Sequence, residues 1–472
     1  MKNNHILLIF LGVTAILFAS CEKWLSVQPE DRYTEEQVYT TANGFEEALN
    51  GVYLSLSSND LYGANLTLTI PDVLAQYYKT NTYSTHPFYS MGAYTYTEKN
   101  VKSQFSAIWT QAYVSIANIN KLLENLDTKG ESILKPARYK TMKGELLGLR
   151  AFIHFDLLRL YGPVYDSADS TALAIPYYHQ VTSNIEPFLP ANKVLESALT
   201  DLNNALPLLE NDVVKALGYK EQNNHRFNYY AVLGTKARAL LWRKDYIGAH
   251  QAAKKVIAVS SLFPWIVGSK ITADLQNPDR IFHTELLFAV YANSLYDNYN
   301  KYFYYELANN ILAGGSNQYI NKVFESKAGD YRNTPIWKVP PQGVNFVVSQ
   351  KYADIADKRA GVQQQRNLIP IIRLSEMYYI LAETEADPTL ALEYLNSVLN
   401  NRGLTSLAGN VDIQNEVLKE YRKEFYSEGQ LWYYYKRRKI TSILSALPSS
   451  NNGTIPNTAW VIPIPDEELA NR

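Results

Sequence analysis

One side chain in this sequence has a reaction specified by its placement alone. Cys21 is the only cysteine among 472 residues, and it stands directly behind an almost wholly apolar run, residues 6–19, closed by Ser20. Met1-Lys2-Asn3-Asn4-His5 supplies a short basic start. A basic start, an apolar stretch and small residues at a junction are the marks of an export leader. The run is too short for an ordinary helix crossing about 30 Å of hydrocarbon. The expected chemistry is therefore removal of residues 1–20 and acylation of Cys21. Leu17-Phe18-Ala19-Ser20-Cys21 has the layout of a bacterial lipobox, with Phe18 where Leu is preferred. Several acyl chains hold a protein on a membrane more firmly than one, so residues 21–34 read as a lipidated tether to a body spanning 35–472.

No other reactive constellation stands out. There is no Gly-x-Ser-x-Gly, no His-Glu-x-x-His, and no dinucleotide or phosphate loop. His5, His86, His154, His179, His225, His250 and His283 are isolated in sequence, and with Cys21 spent at the terminus no Cys/His set offers zinc a site. His154 and His250 fall in helical segments and read as packing or surface residues. No cofactor is called for, and loop carboxylates and carbonyls leave calcium open without defining a site. Two carboxylates across a cleft would suffice for a glycosidase, but nothing singles out a pair among 46 acidic residues. A net charge of -1 and the lack of a long basic block argue against nucleic acid as partner. The unusual residue is tyrosine, with 37 copies beside 16 Phe and 7 Trp. Tyr packs a core edge or offers a flat face to a sugar ring or peptide equally well.

The elements that must position these aromatics are helices. Phe45, Leu49, Val52 and Tyr53 recur at helical spacing, and a second helix runs from Val101 through Ile108, Ala112, Ile116, Ile119 and Leu123. Met142 to Leu160 carries Leu149, Phe152, Ile153, Leu157 and Leu160 on one face and is stopped by Gly162-Pro163. Pro190 to Leu209 is helical. Tyr229 to Val259 reads as a hairpin turning at Lys244-Asp245-Tyr246, with tetratricopeptide-like spacing. A second pair is expected from Pro370 to Leu399, interrupted by Pro388, and a late helical region from Ile413 to Tyr435. Two stretches break the pattern, 57–100 and 260–369, both rich in Gly, Pro and Tyr. Loops on a rigid scaffold commonly carry recognition. The fold class expected is thus mainly α, with tetratricopeptide-like hairpins and an irregular, loop-rich, ligand-facing region.

Four ordered stretches resemble one known family. They are Glu145-Leu146-Leu147-Gly148-Leu149-Arg150-Ala151-Phe152 continuing to Gly162, Arg373-Leu374-Ser375-Glu376-Met377-Tyr378-Tyr379 with Asn401-Arg402-Gly403, Arg422-Lys423-Glu424-Phe425 with Glu428-Gly429-Gln430-Leu431-Trp432, and Ile462-Pro463-Ile464-Pro465. Together with Gly44-Phe45-Glu46-Glu47-Ala48-Leu49-Asn50-Gly51 they resemble the SusD/RagB lipoproteins of the Bacteroidetes outer membrane. Tyr433-Tyr434-Tyr435-Lys436-Arg437 departs from the Asp-Leu-x-Arg usual after the family's Trp. The resembling residues read as scaffold, with Arg150, Glu424 and Trp432 buried or ion-paired.

The resemblance implies a lipid-anchored, non-enzymatic nutrient binder on the extracellular face of the outer membrane. It also implies a SusC/RagA-like TonB-dependent transporter as partner and glycan as cargo. Peptide cargo in the same transport class, or a surface glycan-degrading enzyme, are the alternatives. For ligand contact the loop-rich stretches offer Tyr77, Tyr78, Tyr89, Tyr94 and Tyr96, then Tyr296, Tyr299 and Trp337, as stacking surfaces. Asp72, Asn81 and Asn298 are the hydrogen-bonding partners expected beside them. Trp337, flanked by proline and glycine, is expected to stand exposed.

Overall fold

The computed structural model describes residues 35–166, 169–271, 277–327, 329–339, 346–354, 366–447 and 450–472. Cys21 and the tether 21–34 lie outside the described residues. The protein is mainly helical. Helices Ala42–Leu56, Lys99–Asn125, Pro136–Tyr161 and Ala191–Leu208 pack in succession. The hairpin Tyr229–Trp242 and Tyr246–Ile257 stacks on them, followed by Leu374–Thr384, Pro388–Asn400 and Ile413–Glu424.

Each start is set by local chemistry. The Asn228 carboxamide oxygen accepts from the amides of Tyr230 and Ala231 at 2.9 Å, satisfying donors a helix cannot bond internally. Asp245 caps the second arm through Gly248 N–H, after Lys244 turns the chain at φ 64°. Asp387 caps the helix that Pro388 opens at its first position. Helix Pro136–Tyr161 lies at the centre. Leu149, Phe152 and Leu157 are buried as their spacing predicts, as are Leu240 and Leu381.

Two readings change. Residues Leu368–Arg373 form a strand rather than the start of a helix at Pro370, pairing antiparallel with Leu286–Tyr291. Pro370 is tolerable there because a two-stranded pair leaves one edge free of ladder bonds. This pair closes the base of the second loop-rich stretch, where the chain leaves the scaffold and returns to it. Gly234 lets the hairpin approach this strand, since a Cβ there would sit 2.8 Å from Ile372. The late helical region divides into Ile413–Glu424 and Leu431–Arg438, separated where Ser427 and Gly429 adopt positive φ. Residues 462–465 form no strand, and short strands Ser442–Leu444 and Asn452–Thr454 pair with each other.

Buried charge ties the loops to the scaffold. Glu424 receives Arg402 at 2.6 and 3.0 Å, Arg332 at 2.9 Å, and Arg373. Arg402 also grips Glu285, Arg332 bonds Asp330 and Glu420, and Arg373 and Lys351 share Glu428. Arg150 forms a two-bond pair with Asp201 at 2.7 and 2.8 Å. Trp432 is fully buried beside Trp460 and Tyr94. All three residues read as scaffold are therefore internal. His154 is buried too, its ring stacked 3.7 Å from Tyr177 and its pKa pushed down to about 3 by burial. Lys436, in the divergent segment, donates to the carbonyls of Arg159, Leu160 and Gly162 and so caps the central helix.

Candidate functional site: a loop surface of tyrosine and amide

The two loop-rich stretches meet. Lys79 N–H donates to Ala313 O at 2.8 Å, and the buried His86 ring lies 3.3 Å from Ile311 O. His86 Nδ1 accepts from Phe88 N–H, so Nε2 carries the proton given to Ile311. Burial lowers the pKa of His86, keeping the ring neutral for this role. Phe88 packs against Tyr302 at 6.1 Å, and Tyr78 against Phe303 at 5.8 Å. Gly314 passes across the Trp337 ring, where a Cβ would come within 2.2 Å of it. Segment 79–92 is thus fastened to segment 302–314 by backbone, ring and imidazole contacts.

In the sequence beside these contacts, Asn81, Tyr83 and Tyr89 are exposed, Tyr302 is half-buried, and the Lys301 ammonium lies 5.1 Å from the Tyr302 ring. Tyr83 and Tyr89 are 47% and 38% exposed, ring area that a buried aromatic does not offer. Phenol, amide and ammonium groups on a fixed base can stack on a planar or C–H-rich ligand face and bond its hydroxyls.

The expected ligand residues divide accordingly. Asn81 and Tyr89 are exposed. Tyr77, Tyr78 and Asp72 are buried, a correction to their expected exposure. Tyr77 O–H donates to Arg422 O, Tyr78 O–H to Leu68 O, and Asp72 accepts from Ser427 N–H. Burial raises the Asp72 carboxyl well above the usual range. Trp337 is also corrected: it is 7% exposed, packed edge-on to Tyr426 at 4.2 Å and held in a short strand pair with Val348–Ser349. Tyr96 is buried with its hydroxyl on Ala459 O, and Tyr299 with its hydroxyl on Ser349 O. Tyr94 is half-buried, bonded to Leu74 O and stacked toward Trp432. Asn298 is buried and donates to Asn59 and Gly63. Tyr296 is half-buried under Arg366, away from the junction. Tyr83 and Tyr302 are the surface members the sequence reading passed over. For Tyr83, the polar run Asn81-Thr82-Tyr83-Ser84-Thr85 was the available signal.

A cleft of about 660 Å³ lies elsewhere, between helix Lys99–Asn125 and residues 463–467. Its charges are partly self-paired, Lys102 with Asp466 at 2.8 Å, and its one aromatic, Phe105, is buried. It offers no stacking face. Among the described residues no group of three or more His, Cys, Asp or Glu is placed to hold a metal. No described helix is long and apolar enough to cross a membrane.

Comparison with known families decides the class. Residues 23–241 match a SusD-like family described as "Starch-binding associating with outer membrane", and residues 289–470 match the SusD family.

The chain belongs to the SusD/RagB family.

Membership makes it an outer-membrane binding protein rather than a catalyst. SusD-like protein P2 of Formosa agariphila is 23% identical, the similarity covering 99% of this chain and 97% of that protein. A SusD-like carbohydrate binding protein from Bacteroides vulgatus superimposes with a TM-score of 0.70 at 21% identity, over 91% of this chain and 96% of that one. Surface glycan-binding protein A from Bacteroides thetaiotaomicron, solved with laminarihexaose, superimposes at 0.67 and 16% identity over 92% and 98%. At these identities the solved structures establish a shared fold.

Proposed function

We propose that this SusD/RagB protein captures a glycan at the cell surface, through the surface formed by Asn81, Tyr83, Tyr89, Lys301 and Tyr302, and delivers it to a TonB-dependent SusC-like transporter. What supports the reading is the fastening of the two loop stretches to each other, with exposed Asn81, Tyr83 and Tyr89 in the first and exposed Lys301 beside half-buried Tyr302 in the second. The family's description as starch-binding, and the carbohydrate-binding names of the structural neighbours, support glycan as the cargo class. Acylated Cys21 is the anchor in this scheme, and the 21–34 tether gives the body reach toward a barrel mouth. A stable lid would bury more than about 1,000 Å² against that barrel.

Titration calorimetry of the mature protein against oligosaccharides and oligopeptides is the test. Saturable binding of a glycan is expected. Binding of peptides alone would replace the cargo class, and binding of neither would overturn the function. For the partner, gently solubilised outer membrane should yield a barrel with the native protein. Its consistent absence while other membrane complexes survive would remove the delivery step.

A further inference from the structure

A groove of about 570 Å³ lies apart from the loop surface, where the end of helix Ala42–Leu56 meets residues 225–226 and 290–294. Its volume falls in the roughly 300–1,000 Å³ range of small-molecule sites. Tyr291 closes the strand Leu286–Tyr291 with 46% of its surface exposed, the one outward residue of a strand otherwise buried. Amides and hydroxyls make up half of the lining, Asn50, Asn59, Asn293, Ser57, Ser58 and Ser294, with Leu54 and Val290 as its aliphatic members.

These groups are positioned. The Tyr291 hydroxyl accepts from Asn367 Nδ2 at 3.0 Å, and the His225 ring lies 5.7 Å from the Tyr291 ring. Asn59 is held by Asn298 at 2.7 Å and by Ser294 at 3.1 Å. Tyr53 is fixed by donating to Glu145 and accepting from Phe227 N–H. His225 Nε2 is shielded from solvent and has no hydrogen-bond partner among the described residues, so the ring contributes its face beside Tyr291 and not a ligand hydrogen bond.

Charge selects the ligand. Arg226 is the only Lys, Arg, Asp or Glu among the described residues of the lining. Its guanidinium covers Tyr53 at 4.9 Å, donates to Asn50, and lies 3.9 Å from both Glu46 and Glu145. Those carboxylates also hold Arg138, so two cations face two anions and the cluster is neutral. Burial and Arg226 push the His225 pKa down to about 4, so its ring adds no charge near neutrality. An anionic sugar entering this groove loses hydration and meets a guanidinium whose charge two carboxylates already offset, although its Nη1 makes no hydrogen bond among the described residues.

We infer that the groove between Tyr53, Tyr291 and Asn59 is a second binding site, independent of the loop surface, for an uncharged oligosaccharide. The Tyr291 face stacks on a sugar ring while the three asparagines and the serines bond its hydroxyls.

The test uses the full-length mature protein carrying Tyr83→Ala and Tyr89→Ala, so that only the groove reports. Saturation-transfer NMR and calorimetry probe maltohexaose, cellohexaose, laminarihexaose and mannohexaose, with oligogalacturonate and a tripeptide as charged and peptide probes. At least one neutral hexasaccharide should bind, equally at 50 and 500 mM NaCl. Adding Tyr291→Ala should weaken that binding at least tenfold, while Tyr291→Phe, which keeps the ring, retains it. No residual binding in this folded variant overturns the groove and leaves the loop surface standing. Residual binding indifferent to Tyr291→Ala, or preferring oligogalacturonate or peptide, overturns it as well. If Tyr291→Ala in the otherwise natural chain removes all binding, the groove stands and the loop surface falls.

Discussion

Replacing Glu424 with glutamine should destabilise the protein more than almost any other change that keeps side-chain shape. Five buried cations, Arg332, Arg373, Arg402, Lys351 and Lys423, face five buried carboxylates, Asp330, Glu285, Glu420, Glu424 and Glu428. Glu325 adds to Lys423 from the solvent side. Glu424→Gln leaves three guanidiniums around a neutral amide, with a net buried charge. Breaking one partner of a buried ion network costs about 3–5 kcal/mol. With an unfolding entropy of about 2.1 cal/mol/K per residue, a body of roughly 440 residues loses about 1 °C of melting temperature per kcal/mol. The expected drop is therefore about 3–5 °C at pH 7 by differential scanning calorimetry, with Glu196→Gln on the surface as an unchanged control. The pH dependence gives a second reading. Burial raises the Glu424 pKa, but Arg402, Arg373 and Arg332 outweigh it and hold the carboxyl well below the usual range. A lowered folded pKa contributes stability that is full above the unfolded value of about 4.3 and is lost as pH falls through the folded one. The gap between natural protein and variant should persist at pH 5 and close only in stronger acid. A variant melting within about 1 °C of the natural protein at pH 7, or a gap already closed at pH 5, refutes the reasoning.

Trp337→Ala should lower stability by about 3–5 kcal/mol, as a buried Trp truncation does, while glycan affinity of the folded fraction stays within about threefold. Parallel melting and calorimetry would show it, and an affinity loss without a stability loss would return Trp337 to the ligand surface. Tyr89→Ala should do the reverse, costing about 2 kcal/mol of binding if the ring is a hot spot, roughly 30-fold in Kd, with an unchanged melting curve. Cys21→Ser should move the protein out of the membrane fraction or leave the leader uncleaved, read by fractionation and intact mass. A lipid-free native chain would contradict the anchor.

The scaffold was legible because its signals are local. The stripe through Leu149, Phe152 and Leu157, the turn at Lys244-Asp245-Tyr246, and the breaks at Gly162 and Pro388 each act within a few residues. The strand Leu368–Arg373 was not, because Pro370-Ile371-Ile372 runs directly into a helical pattern and its pairing partner is some 80 residues earlier in the chain. The same distance hid the fate of the tyrosines. Tyr77 and Tyr96 bond carbonyls of Arg422 and Ala459, more than 300 residues away. Tyrosine composition fits a binding face and a polar-tipped core alike, and most of the aromatics proposed for the ligand belong to the second. Asn81 stays outside within the exposed polar run 81–85, whereas Tyr89 is exposed between buried Phe88 and Met91, which no run in the sequence marks.

The central claim is that glycan binds where segments 79–92 and 302–314 join. A crystal structure of the mature protein with the tightest oligosaccharide from the calorimetric panel tests it most directly. The account predicts a sugar ring against Tyr83 or Tyr89, with Asn81 and Lys301 within hydrogen-bonding distance of its hydroxyls. A glycan bound only elsewhere, as in the cleft between helix Lys99–Asn125 and residues 463–467, would contradict it.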